Sequence, residues 1–306
     1  MKLVSFAQAG TAAYGVSAGS SIALPAPSLL ADYPTVRAVI ADPAGLDRLR
    51  AAVTVSSTRL ALADVELLPP VVDPAKVICI GINYETHRNE TGRSASAYPA
   101  VFLRFPDTHI GHGTPIVRPR ASTALDYEGE LAVIIGRPGR AIAKADALDH
   151  VAGYACYNDA SIRDWQRHTH QFTPGKNFPQ TGAFGPWLVT ADEIGDPMNL
   201  RLVTRLNGTV VQEATTADMI FSIAEIIAYV STFTPLGPGD VIATGTPGGV
   251  GSKREPPLWM RPGDIVEVQI DGVGTLRNRI VDETDLAPAR ERTPAVTGEV
   301  AAHARD

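Results

Sequence analysis

The chain has 306 residues, 44% hydrophobic and 20% charged, with a formal net charge of −6 at pH 7. This is globular composition with enough apolar sequence for a sizeable core. The negative balance argues against nucleic acid or an anionic membrane as main partner. The two cysteines, Cys79 and Cys156, cannot build a disulfide framework, and no CxxC pair points to zinc. Each sits in an apolar run, VICIG or GYACYND, and reads as a buried, inert thiol of a reducing cytoplasm.

In chain order, MKLVSFAQAGTAAYGVSAGSSIALP has its apolar stretch broken at Gln8, Gly10 and Tyr14. It does not make the hydrophobic region of a secretory signal and reads as strand, turn, strand. TVRAVIADPAGLDRLRAAV predicts a helical stretch, completing a small N-terminal α+β domain over 1–70. The Pro-rich LLPPVVDPAK (67–76) is the boundary. KVICIGINY then opens a strand of a larger catalytic domain over 71–285. LRLVTRLNGTVVQ predicts a hairpin turning at Asn207-Gly208. GDIVEVQIDGVGTLRNRIV predicts another, with Val266, Val268 and Ile270 on one face and Asp271-Gly272 at the turn. AKADALDHVAG and TTADMIFSIAEIIAYVSTF predict helices, the second with Met219, Ile223, Ile226 and Val230 as a core-facing stripe. Residues 286–306 read as a loose tail. No run approaches the ~18 apolar residues that span a bilayer.

Four segments hold the unusual polar residues. In ALDYEGELAVIIG, Asp126, Glu128 and Glu130 alternate and would share one strand face, either a wet face or one wall of a metal site. In GYACYNDASIRDWQRH an apolar strand ends at Asn158-Asp159 and a helix is predicted to follow. Ser161 and Asp164 resemble its capping box. Asp159, Arg163 and Gln166 would line one side of that helix. TPGKNF offers Lys176 on a loop, and ATGTPGGVG offers Thr244, Thr246 and backbone N–H groups to an anion. As a phosphate loop this last is weak, because no helix start follows it, and the strand–turn–helix context of a Rossmann site is missing. Three carboxylates suit a hard cation such as Mg²⁺ or Mn²⁺. Lys, Arg and Gln beside them suit an anionic, oxygen-rich substrate.

GINYETHRNETG, PAVFLRFPDTHIGHGTPIVRP, DYEGELAVIIG, NDASIRDWQ, GKNF, FGPWLVTADEI, PGDVIATGTPGGVG and RPGDIVEV occur in this order. Together they resemble the fumarylacetoacetate hydrolase family over roughly residues 75 to 280. The resemblance implies a mixed α+β, mainly β fold with a β-sandwich or β-roll catalytic domain, and a homodimer in the cytoplasm. It makes Glu128, Glu130 and Asp159 the ligands of Mg²⁺ or Mn²⁺ and leaves Asp126 aside. Arg163, Gln166, Lys176, Thr246 and Tyr84 match substrate-contacting positions. His87 and Glu90, spaced i, i+3, would touch on a short helical turn, making His87 a general base for water with Lys176 assisting. The implied reaction is C–C hydrolysis of an acylpyruvate such as fumarylpyruvate or maleylpyruvate, in aromatic-compound breakdown. The same enolate chemistry also serves decarboxylation or isomerisation of oxaloacetate-like and 2-hydroxydienoate acids. It serves sugar-acid dehydration too, although sugar-acid members resemble one another in DWEVE where this chain has DYEGE.

Overall fold

LAVII is apolar at every position because the strand it forms, Gly129–Ile135, is covered on both faces. Leu131, Val133 and Ile135 join a core with Leu202, Val266, Val268 and Leu276, whereas Ala132 and Ile134 join another with Val36, Val39 and Leu49. The computed structural model describes residues 1–56 and 58–285, so the expected loose tail lies outside the described residues.

The strand is central in a 12-stranded sheet. The main path of that sheet runs Arg59–Ala61, Ser21–Ala23, Thr11–Ala18, Lys2–Gln8, Gly182–Thr190, Val151–Asp159, Gly129–Ile135, Val241–Ala243, Val77–Gly81, Ala100–Arg104. A five-stranded sheet, Thr209–Thr215, Arg201–Leu206, Ile265–Ile270, Gly274–Asp282 and Ile116–Arg118, packs on one face. The helices Val36–Ala41 and Gly45–Val55 pack on the other. The architecture is the expected mixed, mainly β sandwich. The Pro-rich boundary does not divide the large sheet, since Lys2 and Leu3 pair antiparallel with Val189 and Leu188. Among the described residues no helix is long and apolar enough to cross a membrane.

Both predicted hairpins form. Asn207 (φ 53°) and Gly208 (φ 81°) take the left-handed conformations that a tight two-residue turn requires. The helices depart from expectation where local chemistry intervenes. The N-terminal stretch is two helices, because Pro43 forces Asp42 into an extended conformation (φ −91°, ψ 124°). Lys144–His150 is 3₁₀ rather than α. The long apolar helix begins only at Ile223, where Ser222 and Glu225 cap each other reciprocally. Met219 therefore lies outside that helix, buried in the same core and bridged to Tyr84.

One buried amide ties together three segments that carry the site. Asn83 Nδ2 donates to Phe221 O (3.0 Å) and Thr244 O (2.8 Å), and Asn83 Oδ1 accepts from Phe221 N (2.8 Å). Asn83→Ala would orphan these groups in a dry interior. It is expected to lower unfolding free energy by about 2–4 kcal/mol in a denaturant titration.

Candidate active site

The strands Gly129–Ile135 and Val151–Asp159 run antiparallel, with Glu130 opposite Tyr157. The pairing continues past the strand end, where Asp159 N donates to Glu128 O at 2.9 Å. Alternation then decides which side chains meet. Glu130 and Asp159 continue the stripes Ala132–Ile134 and Ala155–Tyr157 on one sheet face. Glu128 sits across from Asp159. Glu128, Glu130 and Asp159 are all buried and place one oxygen each within 4.8 Å of the others.

Three carboxylates do not stay charged in a dry interior unaided. Lys176 Nζ bridges Glu128 Oε2 (2.5 Å) and Asp159 Oδ2 (2.6 Å). Arg163 Nη1 pairs with Glu128 Oε1 (2.6 Å) and Arg104 Nη1 with Asp159 Oδ1 (2.6 Å). Burial pushes the Glu128 carboxyl upward, but Arg163 and Lys176 overcome this and hold it at about 2. Glu130 gets little such help: burial, then the charges of Asp159 and Glu128, push it well above the ordinary carboxylate range. Its Oε2 accepts only the Gly245 N–H (2.9 Å).

This donor set fits a divalent cation. The oxygens are hard and close enough to share one ion, and positive charge is short at Glu130, whose carboxyl burial and the neighbouring acids push upward. Lys176 draws on two of the same carboxylates, so its ammonium marks where positive charge is demanded.

A cavity of about 310 Å³ opens over the cluster, lined by Glu128, Glu130, His87, Arg163, Gln166 and Lys176 among others. His87 lies on the helix Glu85–Thr91, with Nδ1 2.7 Å from Glu90 Oε1. Glu90 Oε2 accepts from Gly249 N (2.8 Å), so the glycine-rich segment holds the carboxylate that orients the imidazole. Arg163 Nη2 is buried without a partner, and Gln166 Oε1 accepts from Arg163 Nη1 (2.9 Å). Thr246 also lines the cavity, its hydroxyl donating to Gly129 O (3.0 Å) and accepting from Gln212 Nε2 (2.8 Å).

Several sequence expectations need correction. Of the two readings of the acidic strand face, the metal wall shared by Asp126 does not form, and Asp126 stands apart from the cluster as the family resemblance implied. Its Oδ1 accepts from Gly251 N (2.8 Å), and its Oδ2 accepts from Ser252 N (2.9 Å) and Arg163 Nε (2.7 Å). Asp159 ends a strand and Arg163–Gln166 is one helical turn, so convergence comes from chain reversal rather than one helix face. Ser161 does not cap that turn; its hydroxyl donates to Asp159 O (2.8 Å). Lys176 ends a one-turn helix, Thr173–Lys176, instead of riding on a loop. Tyr84 does not line the cavity: it is fully buried in the core, its hydroxyl unpartnered.

Arg104, fully buried behind Asp159, escaped the sequence reading, as did Arg93, Arg167 and Lys253 on the cavity wall. The signal for Arg104 was a cation inside the apolar strand AVFLR. His109 is structural, with Nε2 2.5 Å from the buried Tyr157 hydroxyl.

A carboxylate cluster floored by a β-sandwich, with a histidine–glutamate pair above it, is the arrangement of a metal-dependent enzyme. Residues 76–281 match the fumarylacetoacetate (FAA) hydrolase C-terminal family, and the chain belongs to that family. It is 45% identical over 223 residues (72% of this chain, 74% of the relative) to oxaloacetate tautomerase YisK of Bacillus subtilis. It is 42% identical over 224 residues (72% and 70%) to the mitochondrial oxaloacetate tautomerase fahd2 of Xenopus laevis. Among solved structures, a fumarylacetoacetate hydrolase from Exiguobacterium antarcticum superposes with TM-score 0.78 at 36% identity, covering 92% of this chain and 99% of that one. The maleylpyruvate hydrolase of Sphingobium sp. SYK-6, with manganese(II) and pyruvate, gives 0.77 at 31% identity with the same coverage.

The unequal carboxyls yield a test. Glu130 ionises near 4.5 in the unfolded chain and only at higher pH in the metal-free fold. It therefore costs stability as pH rises from 4.5 through the raised folded value. Glu130→Gln should match wild type near pH 4.5 and melt at or above it near neutrality without metal. It should also lose the thermal stabilisation that Mg²⁺ or Mn²⁺ gives wild type. Glu128→Gln, which leaves Arg163 with Asp126 alone and Lys176 with Asp159 alone, should instead lose about 3 kcal/mol without metal.

Proposed function

We propose that this protein is a divalent-metal-dependent isomerase that interconverts the enol and keto forms of an oxaloacetate-like 2-oxoacid. The observation behind this reading is one cavity that joins the Glu128–Glu130–Asp159 cluster to the Glu90-held imidazole of His87, in a chain 42–45% identical to two oxaloacetate tautomerases. It displaces acylpyruvate hydrolysis, the first implication of the sequence, as the best-supported reaction.

Glu128, Glu130 and Asp159 would hold Mg²⁺ or Mn²⁺, and the ion would supply positive charge beside the 2-oxygen and carboxylate of the substrate. The chain's own groups do the rest. The unpartnered Arg163 Nη2 donates to a carboxylate at the cavity floor, and Gln166 fixes the Arg163 guanidinium from the side. Glu90 takes His87 Nδ1, leaving Nε2 as the ring atom that exchanges a proton with the ligand. In ketonisation His87 Nε2 takes the 2-hydroxyl proton as the C=O bond forms and the C=C bond opens, and it returns a proton to C3, so the imidazole ends in the protonation state in which it began. The reverse direction uses the same atoms. Water is neither consumed nor released. Positive charge fixed before reaction, at Lys176 and Arg163, favours the negative charge that develops on the 2-oxygen.

Hydrolysis remains the second reading because of the maleylpyruvate hydrolase likeness, and the same pair would then deprotonate a water. One assay set separates them. With Mg²⁺ or Mn²⁺, ultraviolet absorbance should report accelerated loss of enol oxaloacetate, with much weaker pyruvate release from maleylpyruvate or fumarylpyruvate. Absence of enol–keto acceleration in the metal-loaded protein would sink the proposal. EDTA should abolish activity. His87→Ala should lower kcat by roughly 10²–10⁴ while calorimetric metal affinity stays near wild type.

A further inference from the structure

The cations lining the cavity fall into two groups. Arg163 and Lys176 are paired with Asp126, Glu128 and Asp159, with Arg163 Nη2 left open on the floor. Arg93, Arg167 and Lys253 have no carboxylate partner among the described residues and sit exposed at the mouth. Among the described residues the only acids lining the cavity are Glu128 and Glu130, both on the floor. A chain with net charge −6 therefore places three unpaired cations around one opening. That imbalance draws anions to the opening and leaves positive charge there to be met by a ligand.

Arg93 is the best placed of the three. The helix Glu85–Thr91 ends at Gly92 in the left-handed conformation (φ 68°), and Arg93 N donates back to Arg88 O (3.2 Å). This reversal brings its guanidinium over the Phe172 ring, 5.5 Å from the centroid, where both line the cavity. Stacking leaves the planar N–H edges free for a carboxylate.

We propose that this rim binds a second carboxylate, at the end of the substrate remote from the metal cluster, with Arg93 as principal contact. The rim would thereby select the C4 carboxylate that distinguishes an oxaloacetate-like substrate from a monoanionic 2-oxoacid. This rests on the functional reading above and adds to it the residues that select the distal group. Because Arg93 follows the helix that carries His87 and Glu90, engagement of the distal carboxylate also fixes the substrate relative to the base.

The test compares oxaloacetate with its C4 methyl ester, which keeps the 2-oxoacid end and removes the distal charge. In the metal-loaded wild type, kcat/KM for enol–keto conversion should favour the diacid by about 10- to 100-fold, the span of a charge-assisted hydrogen-bond pair. That preference should shrink as ionic strength rises, because the rim is exposed. Arg93→Met should reduce the preference to about threefold or less, mainly through KM. Arg93→Lys should restore part of it, and Arg167→Met and Lys253→Met should each remove a smaller part. The rim proposal is overturned if wild type does not discriminate, if Arg93→Met keeps the full preference, or if it slows diacid and ester in parallel. Failure of wild type to turn over either compound would instead overturn the functional reading.

Discussion

Everything at this site depends on keeping three carboxylates together in a dry interior. Glu128, Glu130 and Asp159 could not all be buried as anions without compensation. The fold answers with Arg104 behind the cluster, Arg163 beside it and Lys176 across it. This compensation is incomplete: burial and the charges of Asp159 and Glu128 push the Glu130 carboxyl well above the ordinary carboxylate range. The donor set fits a divalent cation, which would supply the positive charge that Glu130 lacks.

The sandwich supplies the rigidity this balance needs. The acids stand at the ends of two adjacent strands covered on both faces, so their separation is set by ladder register rather than by loop conformation. The groups proposed to handle substrate come from less regular chain. His87 and Glu90 sit on a short helix, Arg163 and Lys176 on single turns, and Thr246 in the glycine-rich segment. Cross-ties hold these pieces: Asp126 joins Arg163 to Gly251 and Ser252, Glu90 joins His87 to Gly249, and Asn83 joins the Val77–Gly81 strand end to Thr244. Asp126 is an acid of the same run as the ligands, yet its work is mechanical.

Where sequence reading fell short, the shortfall has particular physical causes. Alternation placed Asp126 with Glu128 and Glu130, but three backbone N–H groups and a guanidinium claim its oxygens. A helical spacing of Asp159, Arg163 and Gln166 was the wrong geometry for a real convergence, because one strand end and one turn achieve it together. Tyr84 matched a family position but was drawn into the core against Met219. The late start of the Ile223–Phe233 helix was readable in S-x-x-E, a signal outweighed by the apolar periodicity upstream.

The sequence by itself determined the strands, the hairpin at Asn207-Gly208, the family, the i, i+3 contact of His87 with Glu90, and the identity of three candidate ligands. These are short-range matters of side-chain periodicity, turn chemistry and ordered motifs, and they survive without knowledge of what packs where. Tertiary structure alone decided which acids meet and which cation answers each of them. It also decided which cations remain unanswered, leaving Arg93, Arg167 and Lys253 facing the cavity mouth. Charge pairing is a property of distance and burial, and residues as far apart in sequence as Arg104 and Asp159 acquire both only when the sheet brings them together.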